Sequence, residues 1–232
     1  MMNLKKVRAI SLDLDDTLWP IWPTIARAEL ALQAWLRPHA PRSAEMLADA
    51  ERRQALRQDI QRRRPEIGHD LATLRREIIR HVLHECAEDT ALVDPAYDVF
   101  YAERLRVELY EDARPALAWL AARYPVVAVS NGNADVHRIG LGEFFRHGLS
   151  AQNLGVGKPD ARIFHAAAEA TGVQPDEVLH VGDDAVLDVL GALDAGMQAA
   201  WVNRAGHDWT HARRPHLTVG DMAQLCARLE AV

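Results

Sequence analysis

Lysine is nearly missing from this chain. Of its 27 basic residues only Lys5, Lys6 and Lys158 are lysines, and the other 24 are arginines. Where any positive charge would serve, the sequence uses arginine, so Lys158, alone beyond the N-terminus, marks a place where a compact ammonium is needed. Cysteine is scarce too. Cys86 and Cys226 stand too far apart to suggest a disulfide framework or a metal-ligand spacing, and are expected as inert thiols in a reducing compartment. No run approaches the ~18 apolar residues that cross a bilayer. Lys5, Lys6 and Arg8 imitate the start of a signal peptide, but Asp13 interrupts the apolar stretch behind them too early. The net charge of -6 argues against nucleic acid as the main partner, since phosphate backbones select basic faces. These absences point to a cytoplasmic protein with neither membrane nor nucleic acid as partner, and leave the oligomeric state open.

What is present is an ordinary globular composition. Among 232 residues 49% are apolar and 26% charged, enough for one large domain or a domain carrying an insertion. The stretch "AISLDLDDTLWP" reads as a buried strand that runs into Asp13, Asp15 and Asp16 and then turns. Residues 23 to 111 recur at helical period without a convincing strand, with Pro38, Pro41, Pro65 and Pro95 as punctuation. From residue 112 short apolar strands alternate with helices. "PVVAVSNGN" and "EVLHVGDD" are strands ending in polar turns, and "MQAAWV" is a further strand. "DARIFHAAAEATG" is a helix capped by Asp160 and closed by Gly172, and Asp221 with Gln224 resembles a capping box. Alternation of this kind implies a parallel sheet covered on both faces. The fold class expected is α/β, a Rossmann-like parallel sheet core formed by residues 1–20 and 112–232, with an all-helical domain, residues 21–111, inserted after the first strand.

Three strand ends carry polar residues, Asp13-Leu14-Asp15, Ser130-Asn131-Gly132-Asn133 and Gly182-Asp183-Asp184, and Lys158 follows a glycine-containing loop. In open α/β sheets ligands bind outside the carboxyl ends of the strands, so all four groups can meet at one edge. Asp13 and Asp15, two apart on an extended chain, face one side while Leu14 faces the other. Two carboxylates about 4 Å apart repel by roughly 4 kcal/mol at an effective dielectric near 20. Asp13, Asp15 and Asp183 therefore need a cation, and an all-oxygen cluster suits Mg²⁺. Taken alone, Asp15-Asp16-Thr17 would also serve as a turn or a helix cap.

"DLDDTLW", "VSNGN", "GKPDARIF" and "HVGDDAVLD" resemble, in order and separation, the four motifs of the haloacid dehalogenase superfamily. The helical insertion is similar to the first cap type of that family. "PEIGHDLATLRREII", "SNGNADVHRIGLGEFF" and "LHVGDDAVLDVLGALDAGMQAAWVNR" resemble a narrower branch of bacterial phosphatases acting on flavin mononucleotide and on 5-amino-6-(5-phosphoribitylamino)uracil. The resemblance implies a Mg²⁺-dependent phosphomonoester phosphatase with a small phosphorylated metabolite as partner. It makes Asp13 the nucleophile and Asp15 the acid and base. Ser130 and the Asn131 amide would bind the phosphoryl oxygens. The Asp13 carboxylate, the Asp15 carbonyl and Asp183 would hold the metal, while Lys158 pairs with Asp13. Asp188 would orient Lys158 or a water on the metal, and Thr17 would fix the turn. Asp184 either supports the metal from behind or caps the helix from Ala185, and capping is the favoured reading. A helical cap would exclude water and choose the leaving group. Trp19, Trp22, His69 and Asp70 are the candidates for that choice, whereas Arg53, Arg57 and Arg64 read as a solvated helix face.

Three alternatives remain. Haloacid dehalogenation needs neither metal nor an acid for the leaving group, which leaves Asp15 and Asp183 without a purpose. A phosphomutase would retain the phosphoryl group. A receiver-like phosphoaspartate switch uses a similar acid cluster, but in about half this length and without a helical insertion.

Overall fold

The computed structural model describes residues 4–231 of the chain. Strands β1 (Ala9–Leu12), β2 (Val126–Ser130), β3 (His147–Ser150), β4 (Val178–Gly182), β5 (Gln198–Val202) and β6 (Leu217–Val219) form a parallel sheet in the order β3-β2-β1-β4-β5-β6. Every residue of β1, β2, β4 and β5 is buried, which is why these strands read as continuous apolar runs and do not alternate. The register sets Leu12 beside Ala128 on one side and Val181 on the other. The direction of winding reverses between β1 and β4, the crevice where doubly wound sheets bind ligands.

The chain divides into two compact units, Met1–Pro20 with Glu108–Val232, and Ile21–Val107. In the first, Val127, Val178, Ile163, Phe164 and Val189 make a core between the sheet and the helices α8 (Ala161–Thr171) and α9 (Gly191–Asp194). Each such fully buried side chain contributes about 1.5–3 kcal/mol. The same unit contains α6 (Ala113–Ala121), α7 (Ala151–Leu154) and α10 (Met222–Glu230). The second unit is built from α1 (Ile21–His39), α2 (Pro41–Ala48), α3 (Ala50–Arg63), α4 (Leu71–Glu85) and α5 (Val93–Arg104). Leu32, Leu36, Ile79, Leu83 and Phe100 belong to its separate core. No described helix is long and apolar enough to cross a membrane.

The prolines punctuate less than expected. Pro41 opens α2, where a missing N–H costs nothing, but Pro38 lies within the last turn of α1 and Pro95 within the first turn of α5. Strands β3 and β6 escaped the sequence reading because they are short and partly exposed, so neither shows an apolar run. Gly172 does close α8 in the left-handed conformation, and Asp160 accepts from the Arg162 amide at its start.

One ion pair ties the α/β unit together away from its sheet. Arg204, just after β5, donates to both Asp112 carboxylate oxygens, at 3.0 and 2.8 Å, and to the Thr17 carbonyl at 2.9 Å. Its guanidinium lies 3.9 Å from the Tyr110 ring centre, and the Met222 amide donates to Asp112 at 2.7 Å. Burial pushes the Asp112 carboxyl up, but the Arg204 and Met222 hydrogen bonds outweigh it and the group ends below the ordinary carboxylate range. A depressed folded value means stability that is present above about pH 4 and lost as pH falls through the folded value. Asp112→Asn should therefore lower the stability by about 1.5–3 kcal/mol at pH 7. The difference in Tm from the wild type should shrink on acidification, and a gap that stays constant down to pH 3 would refute this account.

Candidate active site

The ladder between β1 and β4 continues one step past the strands, the Asp13 amide donating to the Val181 carbonyl at 2.9 Å. The chain then reverses. The Leu18 amide reaches the Leu14 carbonyl at 2.8 Å and the Asp16 amide the Trp19 carbonyl at 2.7 Å. Asp16 takes φ +59°, a left-handed conformation that aspartate tolerates better than most residues. Of the three clustered aspartates, Asp16 thus serves the turn.

Trp19 is fully buried, and its indole Nε1 donates to Asp15 Oδ1 at 2.8 Å. This corrects its expected place among the residues that choose a substrate: a ring without exposed surface offers no stacking face. Its work is to hold Asp15. Thr17, also fully buried, goes beyond the turn it was expected to fix, its Oγ1 donating to Asp183 Oδ1 at 2.9 Å. The Trp201 indole fastens the same residue through the Asp183 carbonyl, at 2.7 Å.

Lys158 stands at the centre. Its Nζ donates to Asp13 Oδ1 and, at 2.6 Å, to Asp188 Oδ1, and all three side chains are buried. The Asn131 side chain clamps the lysine's backbone from both sides, accepting from the Lys158 amide at 2.7 Å and donating to its carbonyl at 2.8 Å. A Cβ on Gly157 would come within 2.6 Å of the Asn131 Oδ1, so the clamp needs glycine there. Ser130, buried at the end of β2, accepts from the Gly132 amide at 2.9 Å. Asp188 is set by a π-helical turn over Ala185–Leu190, where the Asp188 and Val189 amides both reach the Asp184 carbonyl at 3.1 Å. Asp188 Oδ2 accepts from the Asp184 amide at 2.9 Å. A Cβ on Gly182 would lie 2.3 Å from the Asp188 Cγ, so this close approach too depends on glycine.

Behind Asp188 lies a pair absent from the sequence reading. His180 Nε2 is 3.2 Å from Asp188 Oδ1, and its Nδ1 is 2.8 Å from Ser11 Oγ. Both are buried within strands. Their signal was a polar residue in an otherwise apolar run, in "LHVG" and "AISL".

Burial and the neighbouring acids set the electrostatics. Burial raises the Asp13 carboxyl well above its ordinary value, with Lys158 opposing and Asp188 and Asp183 adding to the rise. Burial and Asp188 push Asp183 up to about 7 against the Thr17 hydrogen bond. Asp188 is the exception: burial works against its ionised form, but Lys158 and His180 overcome that and hold it ionised. Burial likewise opposes the Lys158 charge, and Asp13 and Asp188 more than restore it. Burial lowers His180, with the Asp188 contact opposing, so the imidazole is neutral.

Carboxylate oxygens of Asp13, Asp183 and Asp188 lie within 4.8 Å of one another. Burial first, and then the excess of three carboxylates over one ammonium, push Asp13 and Asp183 toward their neutral forms. A hard, oxygen-seeking divalent cation is the chemical partner that such a donor set fits. The Asp15 carboxylate, directed to Trp19, does not join the set.

The remaining candidates have their own local roles or surroundings. Asp184 caps the π-helical turn, accepting from the Val186 and Leu187 amides at 2.7 and 2.8 Å. Asp70 caps α4, accepting from the Thr73 amide and hydroxyl at 2.9 and 2.6 Å, with the half-buried His69 just before it. Trp22 is 75% exposed, on α1 of the helical unit.

Residues 7–196 match the family described as haloacid dehalogenase-like hydrolase. The chain is 34% identical over 230 residues, 96% of either protein, to the 5-amino-6-(5-phospho-D-ribitylamino)uracil phosphatase YigB of Escherichia coli. It is 34% identical over 157 residues, 65% of this chain and 63% of the other, to the phosphoserine phosphatase of Thermus thermophilus. Among solved structures, the 2-haloacid dehalogenase of Pseudomonas syringae pv. Tomato superposes with a TM-score of 0.90 at 34% identity, covering 97% of this chain and 98% of the other. On these grounds the chain belongs to the haloacid dehalogenase-like hydrolase family.

Proposed function

We propose that this phosphoric monoester hydrolase works through an aspartyl-phosphate on Asp13 and that its substrate is a ring-bearing phosphorylated metabolite, 5-amino-6-(5-phosphoribitylamino)uracil or flavin mononucleotide. The observation that carries the mechanism is the Lys158 ammonium held between Asp13 and Asp188 at the reversal point of the sheet, with Asp183 in the same acid cluster. The substrate rests on the likeness to YigB along nearly the whole of both chains.

In the first step an Asp13 oxygen forms a bond to phosphorus as the bond from phosphorus to the departing alkoxide breaks, and Asp15 gives that alkoxide its proton. The Trp19 indole orients Asp15 through a hydrogen bond to Oδ1. In the second step Asp15 takes a proton from water as the water oxygen bonds to phosphorus. The bond from phosphorus to Asp13 breaks, and inorganic phosphate leaves. Ser130 and the Asn131 amide bind the phosphoryl oxygens, and Lys158 offsets their charge. Asp13, Asp183 and the Asp15 carbonyl would hold Mg²⁺, with Asp188 beside them. When bound, the cation screens the approach of an anionic substrate and stabilises charge on the equatorial oxygens. Residues 1–20 and 112–232 carry this chemistry, and the inserted helices, residues 21–111, govern the choice of leaving group.

The likeness to a 2-haloacid dehalogenase gives a second reading. Against it stands the care taken over Asp183, held by Thr17 and Trp201, which displacement of halide from carbon does not require.

The two readings separate by assay. With Mg²⁺ present, kcat/KM should favour flavin mononucleotide or the aminouracil ribityl phosphate over p-nitrophenyl phosphate by a hundredfold or more, about 2.7 kcal/mol of transition-state discrimination. Asp13→Asn should cut kcat by at least about a thousandfold with the fold unchanged by circular dichroism. Chloride release from 2-chloropropionate without phosphate release would replace the phosphatase with the dehalogenase.

The acid cluster makes a separate prediction about the cation. A carboxyl raised to about 7 leaves its contribution to stability intact only below the ordinary value near 4, and that contribution is lost as pH rises from there through 7. In EDTA the Tm should therefore fall between about pH 4 and pH 7 and level off above that. Mg²⁺, binding the ionised acids of the folded state, should raise Tm by an amount that grows over the same range. A Mg²⁺ effect independent of pH, or none at all, would count against a metal held by these residues.

A further inference from the structure

The helical unit contains a cavity of about 550 Å³, lined by residues of α1, α3 and α4 and by Ala48 at the end of α2. Two features set it apart from a gap in packing. The first is its apolar rim. Trp22 and Leu30, 75% and 65% exposed, both line it, and such exposure of large apolar side chains is rare in this chain. The second is its charge. Arg53, Arg57 and Arg75 all contribute, with Glu29 as the one acid among the lining residues.

Glu29 pairs with two of the three. Its Oε1 lies 2.7 Å from Arg75 Nη1, while its buried Oε2 lies 3.7 Å from Arg53 Nε and accepts no hydrogen bond. Arg75 further stacks over the Phe100 ring, 4.1 Å from its centre, and Arg53 donates to the Leu47 carbonyl. Arg57 is different. It is half-buried, and among the described residues no carboxylate or carbonyl hydrogen-bonds to it or pairs with it. Burial, and then Arg75 beside it, hold its guanidinium below the ordinary arginine range, with Glu29 only partly opposing. The surface expected for this helix face would have left Arg57 solvated. An arginine kept half-buried, next to like charge and without a counter-ion, destabilises the free protein, and residues of that kind mark places where a ligand completes the structure.

We propose that this cavity, contained within the helical unit, is a binding site for a small organic anion whose carboxylate or phosphate head meets Arg57 and whose flat apolar body lies against Trp22 and Leu30. A guanidinium offers a planar fork that matches both head groups. The volume falls in the range of small-molecule pockets and exceeds what a bare inorganic anion fills. The proposal goes beyond the phosphatase reading and does not depend on it.

The test uses the full chain and 2-naphthoate as probe, followed by isothermal titration calorimetry and by thermal melting. One naphthoate should bind per chain and raise Tm, while neutral 2-naphthol should bind at least tenfold more weakly. Arg57→Gln should weaken naphthoate at least tenfold yet melt at or above the wild-type temperature without ligand, because it removes an unpaired charge. Trp22→Ala, at an exposed position, should weaken binding without changing the fold. Asp13→Asn should bind naphthoate as the wild type does, and on that background 2-naphthyl phosphate, which cannot then turn over, shows whether carboxylate or phosphate is the preferred head. Undiminished binding to Arg57→Gln, equal binding of 2-naphthol, or binding lost with Asp13→Asn would overturn the proposal. So would an Arg57→Gln protein that melts several degrees lower, since Arg57 would then be structural.

Discussion

A buried ammonium between two buried carboxylates is the constraint on which the α/β unit is organised. Lys158 has 6% of its surface exposed, Asp13 6% and Asp188 1%. Breaking such an arrangement by removing one partner typically costs about 3–5 kcal/mol, because the survivor stays charged and buried. The surroundings follow from that. Asn131 fixes the lysine's backbone, and Gly157 and Gly182 leave room for the two approaches. The π-helical turn brings Asp188 back toward the sheet, and His180, neutral and linked to Ser11, supports it from behind. A chain that beyond its N-terminus otherwise writes arginine keeps lysine here because a planar fork cannot occupy a space made for a single donor atom against two acids.

Topology makes the cluster possible. Asp13 ends the strand that lies between β2 and β4, so Ser130 and Asp183 arrive from its two immediate neighbours. The loop before α8 delivers Lys158. Parallel strands bring their carboxyl ends to one edge, and acids placed there meet whatever their separation in sequence. The fold therefore concentrates acids and buries them, and burial together with their mutual repulsion raises the Asp13 and Asp183 carboxyls despite Lys158.

This explains what was legible beforehand. Three of the polar groups stand at the ends of strands that announce themselves as apolar runs, and the fourth, Lys158, just before a capped helix, so a local pattern placed each one and topology did the rest. The helical insertion was equally visible in its period. Other features depend on partners far along the chain. Ser11 and His180 are 169 residues apart, and Asp112 and Arg204 are 92 apart. No local pattern distinguishes His180 from a buried histidine with nothing to do. Trp19 was misread for a related reason: an aromatic in the turn after β1 offers a stacking face or a packed indole donor, and only its burial decides between them. Strands β3 and β6, short and partly exposed, lacked the pattern by which the other strands were found.

The arginines of α3 show the limit from the other side. A run of basic residues on a strongly polar helix is ordinarily a solvated face, and for Arg62 and Arg63, exposed and paired with Asp59, that holds. Arg53 and Arg57, on the same helix, line a cavity instead, since helical period alone does not reveal which face a neighbouring helix will cover. Each unit thus carries charge that its own residues do not balance, and of opposite sign: carboxylates in the α/β unit, guanidiniums in the helical unit. Uncompensated charge at low exposure lowers stability, and a fold retains it where something outside the chain supplies the balance. In the acid cluster the fitting complement is a hard cation together with the phosphate it attracts. Around Arg57 the same reasoning, with the sign reversed, calls for an anion.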